Sequence, residues 1–249
     1  MGSLKGRIAV VTGGATGIGG AAAELFAAEG ALSVILDHNG EEGRATVERV
    51  TAAGGRAEFH PLDVRSHEQT AGVFRGIGGR HGRVDVLLCS AGVLDGAYRS
   101  IADLPEEEWD ATIDTNLKGT YLTVRSAAPL LRAAGRSVLL LVSSGAGVRG
   151  ASSSYAYAAS KAGMHGMQYN LEQELGPGGT RVHVVCPGGI ATPLKLLNIA
   201  QGAEARGEDP EAAVAAARRS LGDPAGVAKV LAFLASDDGG YVRGTVHTR

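Results

Sequence analysis

The stretch that most limits the possible folds lies at the start of the chain. A β-rich run, Arg7 to Val11 (RIAVV), passes through the turn Thr12-Gly-Gly-Ala-Thr-Gly-Ile-Gly19 directly into an alanine-rich helical pattern, about Gly20 to Glu29, closed by Gly30. A strand followed at once by a helix returns to a parallel neighbour through that helix, and a parallel sheet needs covering on both faces. The rest of the chain repeats the arrangement. Strand-like runs at Leu32 to Leu36, Ala57 to Leu62, Val84 to Cys89, Val138 to Val142, Arg181 to Cys186 and Gly244 to His247 alternate with helical patterns. The helices are expected at Glu41 to Ala53, Glu68 to His81, Pro105 to Ala134, a segment ending at Leu175, and Pro224 to Ala235. Near-continuously apolar strands in this alternation predict an α/β fold: a doubly wound parallel sheet of about seven strands with helices on both faces.

At 249 residues, with 44% of them hydrophobic, residues 1–249 are expected to form a single domain. A formal net charge of −2 gives no reason to expect nucleic acid or an anionic membrane as partner. No run approaches the ~18 apolar residues of a spanning helix, and the start carries no targeting pattern, so a cytoplasmic protein is expected. Cys89 and Cys186 each end an apolar run and are expected as buried thiols. The seven His form no ligand-spaced cluster, so no metal is expected.

Several residue patterns carry chemistry. Gly13, Gly17 and Gly19 allow close backbone approach to a pyrophosphate at a helix N-terminus, although glycine turns also join strands to helices without a ligand. Asp37 follows the second strand near the spacing at which a carboxylate grips an adenosine ribose. It would repel a 2′-phosphate, and no Arg or Lys lies in the glycine turn or directly after it, so NAD is expected rather than NADP. A solvated turn Asp is the alternative. Tyr157 and Lys161 are four residues apart, and if Ser152, Ser153 or Ser154 caps their helix they share one face. An ammonium beside a phenol favours the phenolate, although such a pair can also be an ordinary surface pair. Tyr155 has no matching cation and is expected to line a pocket or pack. Ser144 follows a buried strand, where its hydroxyl can hold a carbonyl or carbinol oxygen. Asn116 falls inside a helix among apolar neighbours, so it bonds local backbone or does something functional. Residues 193–220, with Leu194, Leu196 and Leu197 at one end and charges beyond, read as a substrate flap or a plain surface hairpin.

Together these motifs resemble the short-chain dehydrogenase/reductase family, over Leu4 to about Val246. TGGATGIG, including Thr16 and Ile18, is similar to the family's TGxxxGIG cofactor turn. The resemblance implies a Rossmann-type fold and an oxidoreductase using NAD. It implies that Asp63 and Val64 meet the adenine, and that Ser90, Ala91 and Gly92 stand where the family usually has Asn-Ala-Gly. Pro187, Gly188, Ile190 and Thr192 match the segment that holds the nicotinamide carboxamide. Asn116, Ser144, Tyr157 and Lys161 match the catalytic tetrad. By resemblance, Tyr157 takes the alcohol proton, Lys161 lowers its pKa and binds the nicotinamide ribose, and Asn116 supports a water that links Lys161 to solvent. Two departures stand out. Ser90 lacks the amide that ties the strand end to its neighbours, which predicts altered cofactor affinity, and the tail YVRGTVHTR differs from the family's usual Asp-Gly-Gly-like end. A homotetramer or homodimer follows from the resemblance, through pairing of the Asn116 and Tyr157 helices.

The expected reaction is hydride transfer between a secondary alcohol, or its ketone, and NAD. A 3-oxoacyl reductase of fatty-acid synthesis is one alternative, opposed by Asp37, and a dinucleotide-binding regulator without turnover is another. The segments Val93 to Tyr98, Ala146 to Tyr155 and Pro193 to Leu197 lean apolar, which points to a neutral, moderately apolar or cyclic alcohol.

Overall fold

The computed structural model describes residues 2–249. Its strands are β1 Ile8–Thr12, β2 Leu32–Asp37, β3 Arg56–Pro61, β4 Val86–Cys89, β5 Ser137–Val142, β6 Thr180–Cys186 and β7 Gly244–His247. They form one parallel sheet in the order β3-β2-β1-β4-β5-β6-β7. The expected doubly wound architecture is therefore present, with the order reversing between β1 and β4. The register makes the strands end together: Thr12 lies opposite both Leu36 and Cys89, Cys89 opposite Leu141, and Val142 opposite Val185. The loops beginning at Gly13, Asp37, Ser90, Ser143 and Pro187 consequently emerge along one edge, where open α/β sheets bind ligands.

The helices are α1 Gly17–Ala28, α2 Gly40–Ala52, α3 His67–His81, α4 Glu106–Ile113, α5 Gly119–Ala133, α6 Tyr155–Leu175, α7 Pro193–Ala205, α8 Pro210–Arg218 and α9 Pro224–Ala235. Alternate residues of each strand enter two cores. Ala9, Val11, Val138 and Leu140 join Phe26 of α1 and Leu231 of α9 on one face. Val10, Leu139 and Leu141 join Phe74 of α3, Leu131 of α5 and Met164 of α6 on the other. Each buried Leu or Phe contributes about 1.5–3 kcal/mol of transfer free energy, which explains why the central strands read as unbroken apolar runs. The outer strand β3 is only half covered. There Phe59 presses against α2 so closely that a Cβ at Gly43 would lie 2.2 Å from its ring.

Two local features depart from simple periodicity. The single helix expected over Pro105 to Ala134 is split by a π-helical turn, Asp114–Lys118, that joins α4 to α5. π turns cluster at functional sites, and this one carries Asn116, which is fully buried. The second is His183 on β6, fully buried with neither ring nitrogen hydrogen-bonded. Burial, with Arg181 adding to it, lowers its pKa from 6.5 to about 4. Cys89 and Cys186 are buried free thiols, as expected, and burial pushes Cys89 up to about 12.

Candidate active site

A cleft of about 940 Å³ opens at the strand ends around the reversal point. Its β1 side is a helix N-terminus left open. Most other helices have their first turn closed by a side chain, from Asn39, Ser66, Ser154, Thr192, Asp209 or Asp223. Thr16, the N-cap of α1, makes no such bond, and the first turn holds no acid. Unpartnered N–H groups and the positive end of the helix dipole thus face the cleft, as an anionic pyrophosphate requires. The glycines fit the same purpose. Gly13 has φ +66°, and a Cβ there would lie 2.6 Å from the Ala91 nitrogen. A Cβ at Gly19 would lie 2.1 Å from the Gly13 carbonyl oxygen. The turn is therefore as tight as backbone permits, and these residues fit a dinucleotide.

Asp37 stands at the end of β2 with its carboxylate anchored. Oδ2 accepts from the Ala15 amide at 3.1 Å and Oδ1 from the Asn39 amide at 3.0 Å, leaving lone pairs toward the cleft. Asp63 is more fully engaged than expected. Arg65 grips both of its oxygens, with Nη2 at 2.7 Å, and this pairing holds the Asp63 carboxyl below the usual carboxylate range. Ser90 lacks the amide of the usual Asn, but the strand end is still tied, because its backbone N–H donates to the Thr12 carbonyl at 3.1 Å.

On the opposite side, Ser154 alone of the three candidate serines caps α6, accepting from the Tyr157 amide at 3.2 Å. Tyr157, Ser144 and Lys161 meet in the cleft wall. Lys161 is 4% exposed, and burial lowers its pKa from 10.5 to about 8. Its ammonium donates to the Val142 carbonyl at 2.8 Å and lies 5.5 Å from the centre of the Tyr157 ring. The phenol therefore stands in a different balance from the one the spacing suggested. Burial pushes its pKa above the ordinary value and the Ser144 hydroxyl pulls it back, while the Lys161 ammonium bonds the strand-end carbonyl.

Asn116 lies behind this wall as a clasp. Its Oδ1 accepts from the Val93 amide at 2.8 Å, and its Nδ2 donates to the Val93 carbonyl at 2.9 Å and to Ser160 Oγ at 3.0 Å. The widened turn leaves the Asn116 carbonyl to accept from Thr120 Oγ1 at 2.7 Å. The Asn116 side chain thus joins the loop after β4 to the helix that carries Tyr157.

Every predicted site residue lines the cleft except two: Asn116 sits behind it, and Gly19 packs beneath the turn. Tyr155, expected to line a pocket or pack, is half-exposed and outside the lining. Residues outside the recognisable motifs also hold the site together. Tyr98 has φ +62°, packs over Gly202 of α7, and donates its hydroxyl to the Asn198 carbonyl at 3.1 Å. Asn198 in turn donates to Ser153 Oγ at 3.0 Å, so α7 is bound to both neighbouring loops. Ser160, three residues beyond Tyr157, was visible as a hydroxyl on the helix between the two catalytic candidates.

The family profile described as enoyl-(acyl carrier protein) reductase matches residues 13–248. With this cleft and sheet, the chain belongs to the short-chain dehydrogenase/reductase family, oxidoreductases that bind a nicotinamide dinucleotide and act on small molecules. Among its relatives, the 3-oxoacyl-(acyl-carrier-protein) reductase FabG of Thermotoga maritima is 35% identical, over 98% of this chain and 96% of that protein. The 3beta-hydroxysteroid dehydrogenase of Mediterraneibacter gnavus is 31% identical, over 99% of this chain and 94% of that one. The crystal structure of levodione reductase superposes with a TM-score of 0.89 at 29% identity, over 98% of this chain and 96% of that structure.

Proposed function

We propose that the protein is an NAD-dependent dehydrogenase acting on a secondary alcohol or the matching ketone. The observation that carries this reading is the convergence of Ser144, Tyr157 and buried Lys161 in one cleft wall opposite the open N-terminus of α1. Nicotinamide, when bound, supplies the hydride acceptor. The chain's own work is to hold the alcohol and move its proton. Ser144 Oγ orients the carbinol oxygen, and Tyr157 Oη takes the proton as the carbon loses hydride, a role for which its phenol must be drawn down from a raised pKa. Lys161 supplies the positive charge beside the ring. NAD is preferred because Asp37 presents a fixed carboxylate where a 2′-phosphate would have to sit.

Exposed Ile101, Val148 and Leu197 on the segments that flank the cleft favour a moderately apolar or cyclic alcohol. Residues 1–249 act as one catalytic domain, and residues 193–220, as α7 and α8, serve as its substrate flap. A cytoplasmic homotetramer or homodimer is proposed, with exposed Tyr121 on α5 and Tyr169 on α6 as contacts. The second reading, a 3-oxoacyl reductase, has the resemblance to the Thermotoga maritima enzyme in its favour and Asp37 against it.

The test is NADH formation on cyclic alcohols, hydroxysteroids, sugars and 3-hydroxyacyl esters, run with NAD and with NADP. Turnover with NAD that falls at least ~100-fold in Tyr157→Phe, with NAD binding retained, is expected. Preference for NADP would remove the role given to Asp37. Unchanged turnover in Tyr157→Phe would remove the proton carrier.

A further inference from the structure

We propose that Asp95 selects the substrate, its carboxylate receiving a second hydrogen-bond donor, hydroxyl or ammonium, carried by the alcohol away from the reacting carbon. The proposal rests on reading the cleft as an alcohol site. Asp95 lines the cleft together with Ser144, Tyr157 and Asn198. Among the described residues its carboxylate makes no hydrogen bond and no ion pair, whereas the cleft's other carboxylates are committed: Asp37 to two backbone amides, Asp63 to Arg65. The cations near it are occupied or separate. Arg99 pairs with Glu108 at 3.3 Å, Lys161 is turned to the Val142 carbonyl, and Lys195 makes no ion pair with Asp95.

The residue is also held in place. Its amide donates to Thr112 Oγ1 at 3.2 Å, and its carbonyl accepts from Ser154 Oγ at 2.7 Å. The same Ser154 hydroxyl caps the helix that carries Tyr157, so one oxygen ties the Asp95 backbone to the helix of the proton carrier. An exposed carboxylate without a protein partner, on backbone pinned from both sides, stands open at the cleft to accept from a ligand. The slight desolvation of this exposed carboxylate and the like charge of Glu108 raise the Asp95 pKa, a shift that a bound donor opposes. An anionic group at this position would meet repulsion instead.

The experiment compares four matched probes with the NAD-loaded enzyme: cyclohexanol, trans-1,4-cyclohexanediol, trans-4-aminocyclohexanol and trans-4-hydroxycyclohexanecarboxylate. The readout is the ratio of kcat/KM for each substituted alcohol to that for cyclohexanol, in wild type, Asp95→Ala and Asp95→Asn. Wild type is expected to favour a donor-bearing probe over the carboxylate, and Asp95→Ala to lower that preference about tenfold, mainly through KM, as for loss of one charge-assisted hydrogen bond in a wet cleft. A fall confined to the amino alcohol assigns an ammonium, and one confined to the diol assigns a hydroxyl. Ratios that do not change in either variant overturn the proposal. If none of the probes is turned over, the alcohol reading fails for this class, and calorimetric binding of the same four decides about Asp95 on its own. A donor preference lost in Asp95→Ala upholds it, and equal binding overturns it.

Discussion

Replacing Asn116 by Leu tests whether the clasp behind the cleft holds the site together. Leu shares the branched skeleton, with bulkier methyl ends, but offers no polar atom, so the Val93 amide, the Val93 carbonyl and an acceptor bond of Ser160 lose their partner at once. Ser160 keeps its donation to the Tyr157 carbonyl at 2.8 Å, so the cost falls on the two backbone groups. A buried polar group left without a partner costs about 1–3 kcal/mol, which gives about 2–6 kcal/mol for two. Val93 is only partly buried, and water can reach part of its backbone, so the lower half of that range, about 2–4 kcal/mol, is expected. This is a large share of the ~5–15 kcal/mol that holds a domain folded. The assay is urea unfolding of both proteins with m held as a check on cooperativity. A loss below about 1 kcal/mol for Asn116→Leu would refute the argument, because it would mean that the loop after β4 satisfies its backbone without the clasp.

Other perturbations address separate parts of the molecule. His183 has a folded pKa of about 4, below the ordinary 6.5, so its neutral form is favoured by folding. Its contribution is fully present above pH 6.5 and is lost as pH falls through about 4, about 3 kcal/mol in all. His183→Leu should therefore melt higher than wild type at pH 4.5, and parallel pH dependence of the two would contradict this. Gly43→Ala drives a methyl into the Phe59 ring and should cost about 1–3 kcal/mol in urea unfolding. No change would mean that α2 can lift freely from β3. Asp37→Ser removes the carboxylate that two amides hold and should raise the NADP to NAD ratio of kcat/KM about tenfold, checked by the same NADH assay with each cofactor.

The sheet and its cleft were legible because their signals are local. Apolar runs of strand length mark the central strands, and the glycines of the first turn need no distant partner to be recognised. Boundaries moved by a residue or a few, most visibly at α1, which starts at Gly17 because the turn itself becomes the first helical turn. What stayed hidden depends on contacts between distant segments. Which of three serines caps α6 is decided by the Asp95 carbonyl, and the positive φ of Tyr98 by its packing on α7. The direction of the Lys161 ammonium is likewise set by a strand-end carbonyl that a four-residue spacing cannot reveal.

The π turn between α4 and α5 has a further consequence, for insertions and deletions. Each residue of an α-helix advances the chain by about 100° around the axis, so the one extra residue of a π turn shifts everything after it relative to everything before it. That phase offset lets one continuous rod serve two neighbours: α4 packs on α6, while α5 packs on α3 and β4. A deletion of a single residue between Asp114 and Lys118 would leave composition and helicity nearly unchanged yet restore a uniform phase. If α5 kept its seat, Thr112 would swing by more than a quarter turn and leave the Asp95 amide behind. Length in this segment thus helps to shape the cleft, to whose wall it contributes Thr115.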